Sequence, residues 1–145
     1  MRKLFLVFLA VAVLNSSGVI LSSLVQAAED TKGTYVVAYY FHGTMRCPTC
    51  HKFEQYSREV IETNFKDAFV SGKLEFKVIN IEDKGNERFV NDYQLYTKSL
   101  VLSLVRDGKE IKWKNLNKIW ERVGNKQKFV NYVKSAVAYF LREAK

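Results

Sequence analysis

The sequence predicts an α/β fold in which a four-stranded mixed sheet lies between helices on both faces. A continuous β-branched and aromatic run at residues 34–41 fits a strand buried on both sides. Apolar residues at helical spacing follow Pro48, and Asp107-Gly108 is a strong hairpin signal further along the chain. A right-handed β-α-β unit followed by a hairpin and a covering helix gives the element order β-α-β-α-β-β-α.

The first predicted strand ends at His42-Gly43, and a helix follows the loop. Pro48 suits the first helical turn, where its missing N–H is not needed. The sequence predicts a helix over residues 48–65, extended or followed by a short turn to Gly72. Its buried side is expected to consist of the apolar residues that recur at helical spacing, namely Phe53, Tyr56, Val60, Ile61 and Phe65.

The rest of the chain alternates short strands and helices. Strands are predicted over residues 74–81, 99–106 and 109–113, with short helices over 86–93 and 117–123. A long C-terminal helix then carries one apolar stripe, formed by Phe129, Tyr132, Val133, Ala136, Val137, Phe140 and Leu141. The chain shows no internal repeats and no low-complexity segment, so one domain is predicted.

Composition excludes several classes of protein. The 145 residues are 48% hydrophobic with only 7 Gly and 1 Pro, which excludes a disordered, collagen-like or proline-rich chain. Two cysteines allow at most one internal disulfide, so a disulfide-stapled mini-protein is excluded as well. Both cysteines and the proline fall in Cys47-Pro48-Thr49-Cys50, flanked by the two histidines, His42 and His51. The chemistry is therefore expected in this segment.

The N-terminus is typical of a secretory signal peptide. A basic start at Arg2 and Lys3 precedes an apolar stretch, and Val25 and Ala27 are small residues spaced for a peptidase. Cleavage after Ala27 leaves residues 28–145 as a single exported domain, periplasmic or otherwise extracytoplasmic. The alternative is an uncleaved membrane anchor, because the two apolar stretches together are long enough to span a bilayer if the polar break at residues 15–18 is tolerated.

The chain is basic, with 23 Lys and Arg against 15 Asp and Glu and a net charge of +8. Nucleic acid is not an expected target of an exported protein. The charge is expected to serve solubility, attraction to an anionic membrane face, or docking to an acidic partner. Basic residues are densest over 109–128, interleaved with Trp113 and Trp120, and a solvated basic face with two core tryptophans is the simpler interpretation.

A Cys-x-x-Cys that opens a helix directly after a buried strand favours thiol chemistry. Free backbone N–H groups and the helix dipole stabilise a thiolate at the first cysteine and lower its pKa. Cys47 is the predicted nucleophile towards a partner disulfide, and Cys50 is the resolving thiol that releases the mixed disulfide. Arg46 either adds positive potential beside the thiolate or is simply solvated. Pro48 and Thr49, between the cysteines, affect the stability of the thiolate without fixing a redox potential.

Over residues 34–141 the chain resembles the thioredoxin-like superfamily. The resemblance is carried by the Cys-x-x-Cys motif, the segment Asn80-Ile81-Glu82-Asp83, the helix-to-strand passage over 93–104 and the Asp107-Gly108 hairpin. It implies a thioredoxin-like fold and a redox-active Cys47–Cys50 disulfide with no other cofactor. It also implies that the loop at Lys98 and Ser99 contacts the partner.

A narrower resemblance covers two short segments. The run Tyr40-Phe41-His42-Gly43-Thr44-Met45-Arg46-Cys47-Pro48-Thr49-Cys50, with the later Lys118-Ile119-Trp120, looks like a small exported bacterial family. That family is named as a subunit of a nitrophenyl-compound nitroreductase. The resemblance implies an association with such a reductase, although the motif itself specifies only a dithiol.

Two departures from the thioredoxin pattern bear on specificity. Thioredoxins face the dithiol with a cis-proline, which also keeps metals off it. That slot falls at Ser99 here, where a non-proline cis bond is costly. The buried acid that many thioredoxins carry on the first strand is replaced by Phe41, so Glu54 and His51 are the candidates for accepting a proton. These departures favour a dedicated redox partner protein, membrane-associated or free, over general reductase activity.

Three other interpretations of the same residues stay open. Cys47-Pro48-Thr49-Cys50-His51 matches the attachment signature of c-type haem, although small c-type cytochromes are mainly helical. Two thiols with His42 and His51 are also suitable ligands for Cu(I) or Zn²⁺. The third is a non-catalytic accessory subunit that retains the dithiol. A purely structural disulfide is poorly motivated, because so short a loop removes little chain entropy.

Overall fold

The computed structural model describes residues 33–145, so the predicted signal peptide at residues 1–27 lies outside the described residues. Its sheet has four strands in the order β2-β1-β3-β4. They are β1 (Thr34–His42), β2 (Leu74–Asn80), β3 (Ser99–Arg106) and β4 (Lys109–Asn115). Strand β1 runs parallel to β2 and antiparallel to β3, and β4 runs antiparallel to β3. The predicted mixed sheet and its element order are confirmed.

The predicted helix over 48–65 is present but is not regular throughout. Helix α1 (Pro48–Glu59) continues as a π-helical turn (Val60–Asn64) and, after a break at Phe65, as α2 (Lys66–Val70). Val60 and Ile61 are adjacent and both fully buried. The wider π-helical turn changes the register so that both side chains reach the core.

The remaining helices follow the predicted order. They are α3 (Arg88–Asp92), α4 (Ile119–Arg122) and α5 (Lys126–Glu143). Asn125 caps α5, because its side chain accepts a hydrogen bond from the backbone N–H of Lys128 at 3.0 Å. No helix within residues 33–145 is long and apolar enough to cross a membrane.

The main core lies between one face of the sheet and the helices α1 and α5. Side chains alternate along a strand, so even-numbered residues of β1 and β3 point to this face. Tyr40 and Leu102 are examples, and they pack in one cluster with Phe53 of α1 and Phe129 of α5. The dithiol helix is therefore anchored by the largest apolar cluster among the described residues.

The opposite face of the sheet is covered more thinly. Phe41, Tyr93, Leu95 and Val101 form a smaller buried cluster there, with the half-buried Phe89 of α3 packed against it. Helices therefore lie on both faces, as predicted, but the second face has only the five-residue α3 and aromatic rings.

The Asp107-Gly108 hairpin joins β3 to β4 as predicted. Both residues have positive φ, 50° at Asp107 and 73° at Gly108, as a type I′ turn requires. The hairpin places β4 at the edge of the sheet, beside α5. The Nζ of Lys112 in β4 donates to the hydroxyl of Tyr139 in α5 at 2.8 Å.

Candidate active site

The dithiol segment follows the carboxyl end of β1. His42 pairs with Asn80 at the end of β2, and Phe41 pairs with Ser99 at the start of β3. Because β3 is antiparallel to β1, its first residue lies at the same end of the sheet as the last residues of β1 and β2. The fold thus brings the dithiol segment and the loop before Ser99 to one end of the molecule.

The two thiols are close together but differ in exposure. Their Sγ atoms are 2.7 Å apart, with Cys47 exposed and Cys50 fully buried. Cys47 is the N-cap of α1, and its Sγ accepts a hydrogen bond from the backbone N–H of Cys50 at 3.4 Å. Pro48 occupies the first turn, as expected. A reacting protein can therefore reach the sulfur of Cys47, whereas that of Cys50 is shielded from solvent.

The surroundings of Cys47 favour its ionised form. The hydrogen bond from the Cys50 thiol is the main cause that lowers the pKa of Cys47, and the backbone N–H of Cys50 lowers it further. Burial opposes these two effects, and the backbone N–H of Thr49 lowers the pKa by a smaller amount than burial raises it. Cys47 is therefore suited to act as a thiolate nucleophile.

Arg46, in the loop just before α1, is paired with an acid on that helix. Its Nη2 lies 2.5 Å from Oε2 of Glu54, and each of the two side chains is 22% exposed. Glu54 also accepts a hydrogen bond from Arg58 at 3.2 Å. Burial acts to raise the pKa of Glu54, but the hydrogen bonds from Arg46 and Arg58 outweigh it and the pKa is lowered. Arg46 is thus neither simply solvated nor free, and Glu54 is held as a carboxylate between two guanidinium groups.

Tyr40 of β1 holds the backbone of the dithiol helix by a hydrogen bond, a role that the sequence analysis missed. It is fully buried, and its hydroxyl donates to the carbonyl oxygen of Cys50 at 2.8 Å. Burial, with a further contribution from nearby Cys50, raises the pKa of Tyr40, so the hydroxyl stays protonated as a donor. The available signal was the strand alternation, which places Tyr40 on the same face as Ala38 and hence under α1.

A second group, to which the sequence analysis assigned no role in the site, holds the loop before Cys47. Glu82 accepts a hydrogen bond from the backbone N–H of Thr44 at 3.0 Å, and the side-chain amide of Asn80 donates to the Thr44 hydroxyl at 3.1 Å. The Glu82 carboxylate packs on Gly43, where an added Cβ would lie 2.5 Å from Oε1. The Asn80-Ile81-Glu82-Asp83 segment therefore ties the dithiol loop to the end of β2.

The loop at Lys98 and Ser99, which is predicted to contact the partner, is hydrogen-bonded to a tryptophan of α4. Trp120 donates its indole N–H to the carbonyl oxygen of Lys98 at 3.1 Å, and Ser99 donates its hydroxyl to the carbonyl of Thr97 at 2.8 Å. A cleft of about 110 Å³ lies between this loop and Trp120. Every peptide bond within residues 33–145 is trans, as expected at Ser99 in the absence of proline.

The predicted alternative metal ligands are not assembled at one point. His42 has its Nδ1 2.9 Å from the carbonyl oxygen of Gly43, and His51 is exposed on α1. In the part of the chain that the structure describes, no three His, Cys, Asp or Glu side chains form a group that could hold a metal ion. Cys47 and Cys50 therefore stand as a pair, without either histidine completing a ligand set.

Comparison with known proteins gives distant similarities. No protein-family model matches the sequence, and no curated protein matches it. A thioredoxin from Fasciola hepatica is similar with a TM-score of 0.40 and 13% identity, over 77% of this chain and 82% of that one. Trxlp from Edwardsiella tarda EIB202 has a TM-score of 0.34 and 18% identity, over 55% and 69%. Thioredoxin f2 from Chlamydomonas reinhardtii has a TM-score of 0.34 and 13% identity, over 67% and 83%.

Proposed function

We propose that this protein is an exported thiol-disulfide oxidoreductase whose Cys47–Cys50 pair cycles between dithiol and disulfide towards a dedicated partner protein. One observation carries the proposal: an exposed thiol at a helix N-terminus, with a lowered pKa, lies 2.7 Å from a buried second thiol. A purely structural disulfide does not need an exposed, ionisable sulfur. A two-step exchange needs both of these thiols.

The exchange proceeds through a mixed disulfide. The Cys47 thiolate attacks one sulfur of the partner's disulfide, the partner's S–S bond breaks, and its other sulfur leaves as a thiolate. Cys50 gives its proton to that thiolate and attacks Sγ of Cys47. The Cys47–Cys50 disulfide forms, and the partner sulfur that was bound to Cys47 leaves as a thiolate. Two electrons have then passed to the partner. Transfer in the opposite direction uses the same steps reversed.

A dedicated partner is supported by the surface at this end of the molecule. The carbonyl of Lys98 already accepts the indole N–H of Trp120, so a backbone acceptor that this loop could offer to an extended substrate chain is engaged within the molecule. Two large apolar side chains in the loops at the same end are highly exposed, Met45 at 83% and Tyr96 at 94%. Exposed Met and aromatic side chains are typical of protein-contacting surfaces.

Two finer proposals come from the sequence. The N-terminal segment supports export, with the mature domain acting in a periplasmic or other extracytoplasmic compartment. The resemblance of the segment from Tyr40 to Cys50 and of Lys118-Ile119-Trp120 supports a partner that belongs to a nitrophenyl-compound reductase complex. No cofactor beyond the redox-active disulfide is proposed.

The test is a redox titration of the purified protein in glutathione buffers, with trapping of free thiols and mass spectrometry. We expect one reversible two-electron couple that disappears in Cys47→Ser. Thiols that stay inert across the titration would overturn the proposal. A covalently added haem would overturn it as well, as would stoichiometric metal under reducing conditions that is lost with either cysteine.

A further inference from the structure

The positive charge of the chain is concentrated in its last quarter. Ten of the 23 Lys and Arg, but only three of the 15 Asp and Glu, lie at or after Lys109. This part has a net charge of +7, against +1 for everything before it. It folds into β4, α4 and α5, which contact one another: the guanidinium of Arg122 lies 4.9 Å from the ring centroid of Tyr132, and Lys112 reaches Tyr139.

Some of these charges are neutralised and others are not. Lys112 pairs with Glu143 at 3.1 Å, and Lys126 pairs with Glu59 at 2.8 Å. By contrast, no carboxylate of residues 33–145 lies within 4.0 Å of the charged nitrogens of Lys114, Arg122 or Lys128. Arg122 also has a buried Nε without a hydrogen-bond partner within the same residues.

The unpaired cations line two adjoining clefts. One, of about 450 Å³, is lined by Arg122, Lys128 and Tyr132, with Asn131 and Ser135. The other, of about 230 Å³, shares Tyr132 and Ser135 and is bounded by Lys114 and by apolar parts of α5. No Asp or Glu lines either of them. We call the two together the basic cleft.

Helix α4 connects the basic cleft to the dithiol end of the molecule. Trp120 lies two residues before Arg122 and packs edge-on against Phe53 of α1, with ring centroids 4.6 Å apart. The same indole donates to the carbonyl of Lys98 in the loop before β3. A chain lying in the basic cleft and passing over Trp120, which is 39% exposed, therefore reaches the end of the sheet that carries Cys47.

We propose that the basic cleft docks an acidic segment of the redox partner, next to the disulfide that Cys47 attacks; this rests on the proposed function. Three unpaired cations complement carboxylates, and the tyrosine hydroxyls with Asn131 and Ser135 offer hydrogen bonds to them. An acidic segment of the redox partner fits better than an anionic bilayer, because the cations lie beside hydrogen-bonding side chains in two shallow clefts that α4 connects to the dithiol end, which such a partner must reach.

The experiment compares thiol-disulfide exchange with two synthetic peptides of equal length that contain the same disulfide. One has Asp and Glu on its flanks and the other has Asn and Gln. We expect the acidic peptide to react at least ~10-fold faster at low ionic strength. Salt screens exposed charges, so the ratio falls towards one at about 0.5 M salt. The redox titration decides the oxidoreductase proposal by itself. If that couple is reversible but neither peptide reacts, or both react at equal rates at low salt, only the docking proposal fails.

Matched variants locate the effect. The triple variant Lys114→Gln/Arg122→Gln/Lys128→Gln is expected to bring the rate ratio towards one. The control Lys66→Gln/Lys73→Gln/Lys84→Gln removes the same charge from exposed positions elsewhere and is expected to keep the wild-type ratio. An equal fall in both triple variants would show that net charge, and not the basic cleft, attracts the peptide. Lys128→Glu, at an exposed position, replaces the triple variant if circular dichroism shows that the latter is unfolded.

A binding measurement separates docking from chemistry. Fluorescence polarisation of a labelled acidic peptide without cysteine is followed on Cys47→Ser/Cys50→Ser protein. Saturable, salt-sensitive binding that weakens in the cleft variant supports the proposal. Absence of such binding overturns the proposal. It is also overturned if the protein sediments with phosphatidylglycerol vesicles, loses this property in the cleft variant, and does not distinguish the acidic from the neutral peptide.

Discussion

Cys50 has two tasks at the level of single residues. It resolves the mixed disulfide in the proposed reaction, and its thiol is the main cause that lowers the pKa of Cys47. The neighbouring cation has a different role, because the guanidinium of Arg46 is held at 2.5 Å by Glu54. The hydrogen bonds of the helix start, and not a nearby charge, are therefore the main source of thiolate stability.

Replacing Cys50 should change the ionisation of Cys47. Cys50→Ala removes the main stabilising donor, so the pKa of Cys47 rises and less thiolate is present at a given pH. Cys50→Ser keeps a hydroxyl donor and should raise the pKa less. The measurement is the rate of iodoacetamide alkylation against pH, whose midpoint gives the pKa of Cys47. We expect a lower midpoint in Cys50→Ser than in Cys50→Ala. In Cys50→Ser, as in the wild type, the midpoint should lie below the ordinary value of ~8.5. Identical midpoints in Cys50→Ser and Cys50→Ala would contradict this.

Arg46→Gln should move the alkylation midpoint much less than Cys50→Ala does, because Arg46 is bound to Glu54. Arg58→Gln is the matched control, since it removes the other cation on Glu54 and leaves the residue beside Cys47 intact. A rise in the Cys47 pKa as large as that of Cys50→Ala would instead assign Arg46 a direct electrostatic effect on the thiolate.

The sequence predicts the reactive pair well and its supports poorly. Pro48 in the first helical turn indicates that Cys47 is the cap residue, and the structure adds that this cap is exposed. The Arg46–Glu54 pair spans eight positions across the start of the helix, and Glu82 meets Thr44 across 38 positions. Neither pair lies within one helix or strand, because Arg46 precedes α1 and both Thr44 and Glu82 lie in loops, so only the folded chain brings these groups together.

At the level of elements, strands were predicted more accurately than the long first helix. Strand β3 has the bounds expected from its apolar run and the following Asp107-Gly108 turn. The π-helical turn at Val60–Asn64 could not be anticipated, because Val60, Ile61 and Phe65 also fit a regular helix. Packing against α5 and the sheet, and not local propensity, determines that change of register.

The hairpin turn gives a test of backbone strain. Gly108 has φ of 73°, where an added Cβ is strained although no atom blocks it. Gly108→Ala should therefore lower the free energy of unfolding by about 1–2 kcal/mol in urea titrations. Gly124→Ala is the control, because Gly124 has open space and no positive φ. It should be neutral, or stabilising by up to about 1 kcal/mol. Equal losses in both variants would mean that the turn conformation is not the cause.

At the level of the whole molecule, the two faces of the sheet differ in thickness. The dithiol helix α1 belongs to the main core through Phe53, whereas residues 82–98 pass over the smaller aromatic cluster. Regions with fewer buried apolar contacts open locally at lower free energy. A firmly held Cys47 thus lies beside a loop region that is tied to the molecule by a smaller cluster and by individual hydrogen bonds.

The same truncation on each face should therefore have unequal effects. Phe129 is fully buried between α5 and α1, so Phe129→Ala should cost about 3–5 kcal/mol of unfolding free energy. Phe89 is only half-buried on α3, so Phe89→Ala leaves a smaller cavity and removes less area from the core, and should cost less than half as much. Urea titrations of the two variants measure the difference.

Amide exchange in Phe89→Ala should accelerate over residues 88–95 before it does in β1. Equal costs, or acceleration that begins in β1, would show that both faces unfold as one unit. In that case the partner loop would be held as firmly as the dithiol.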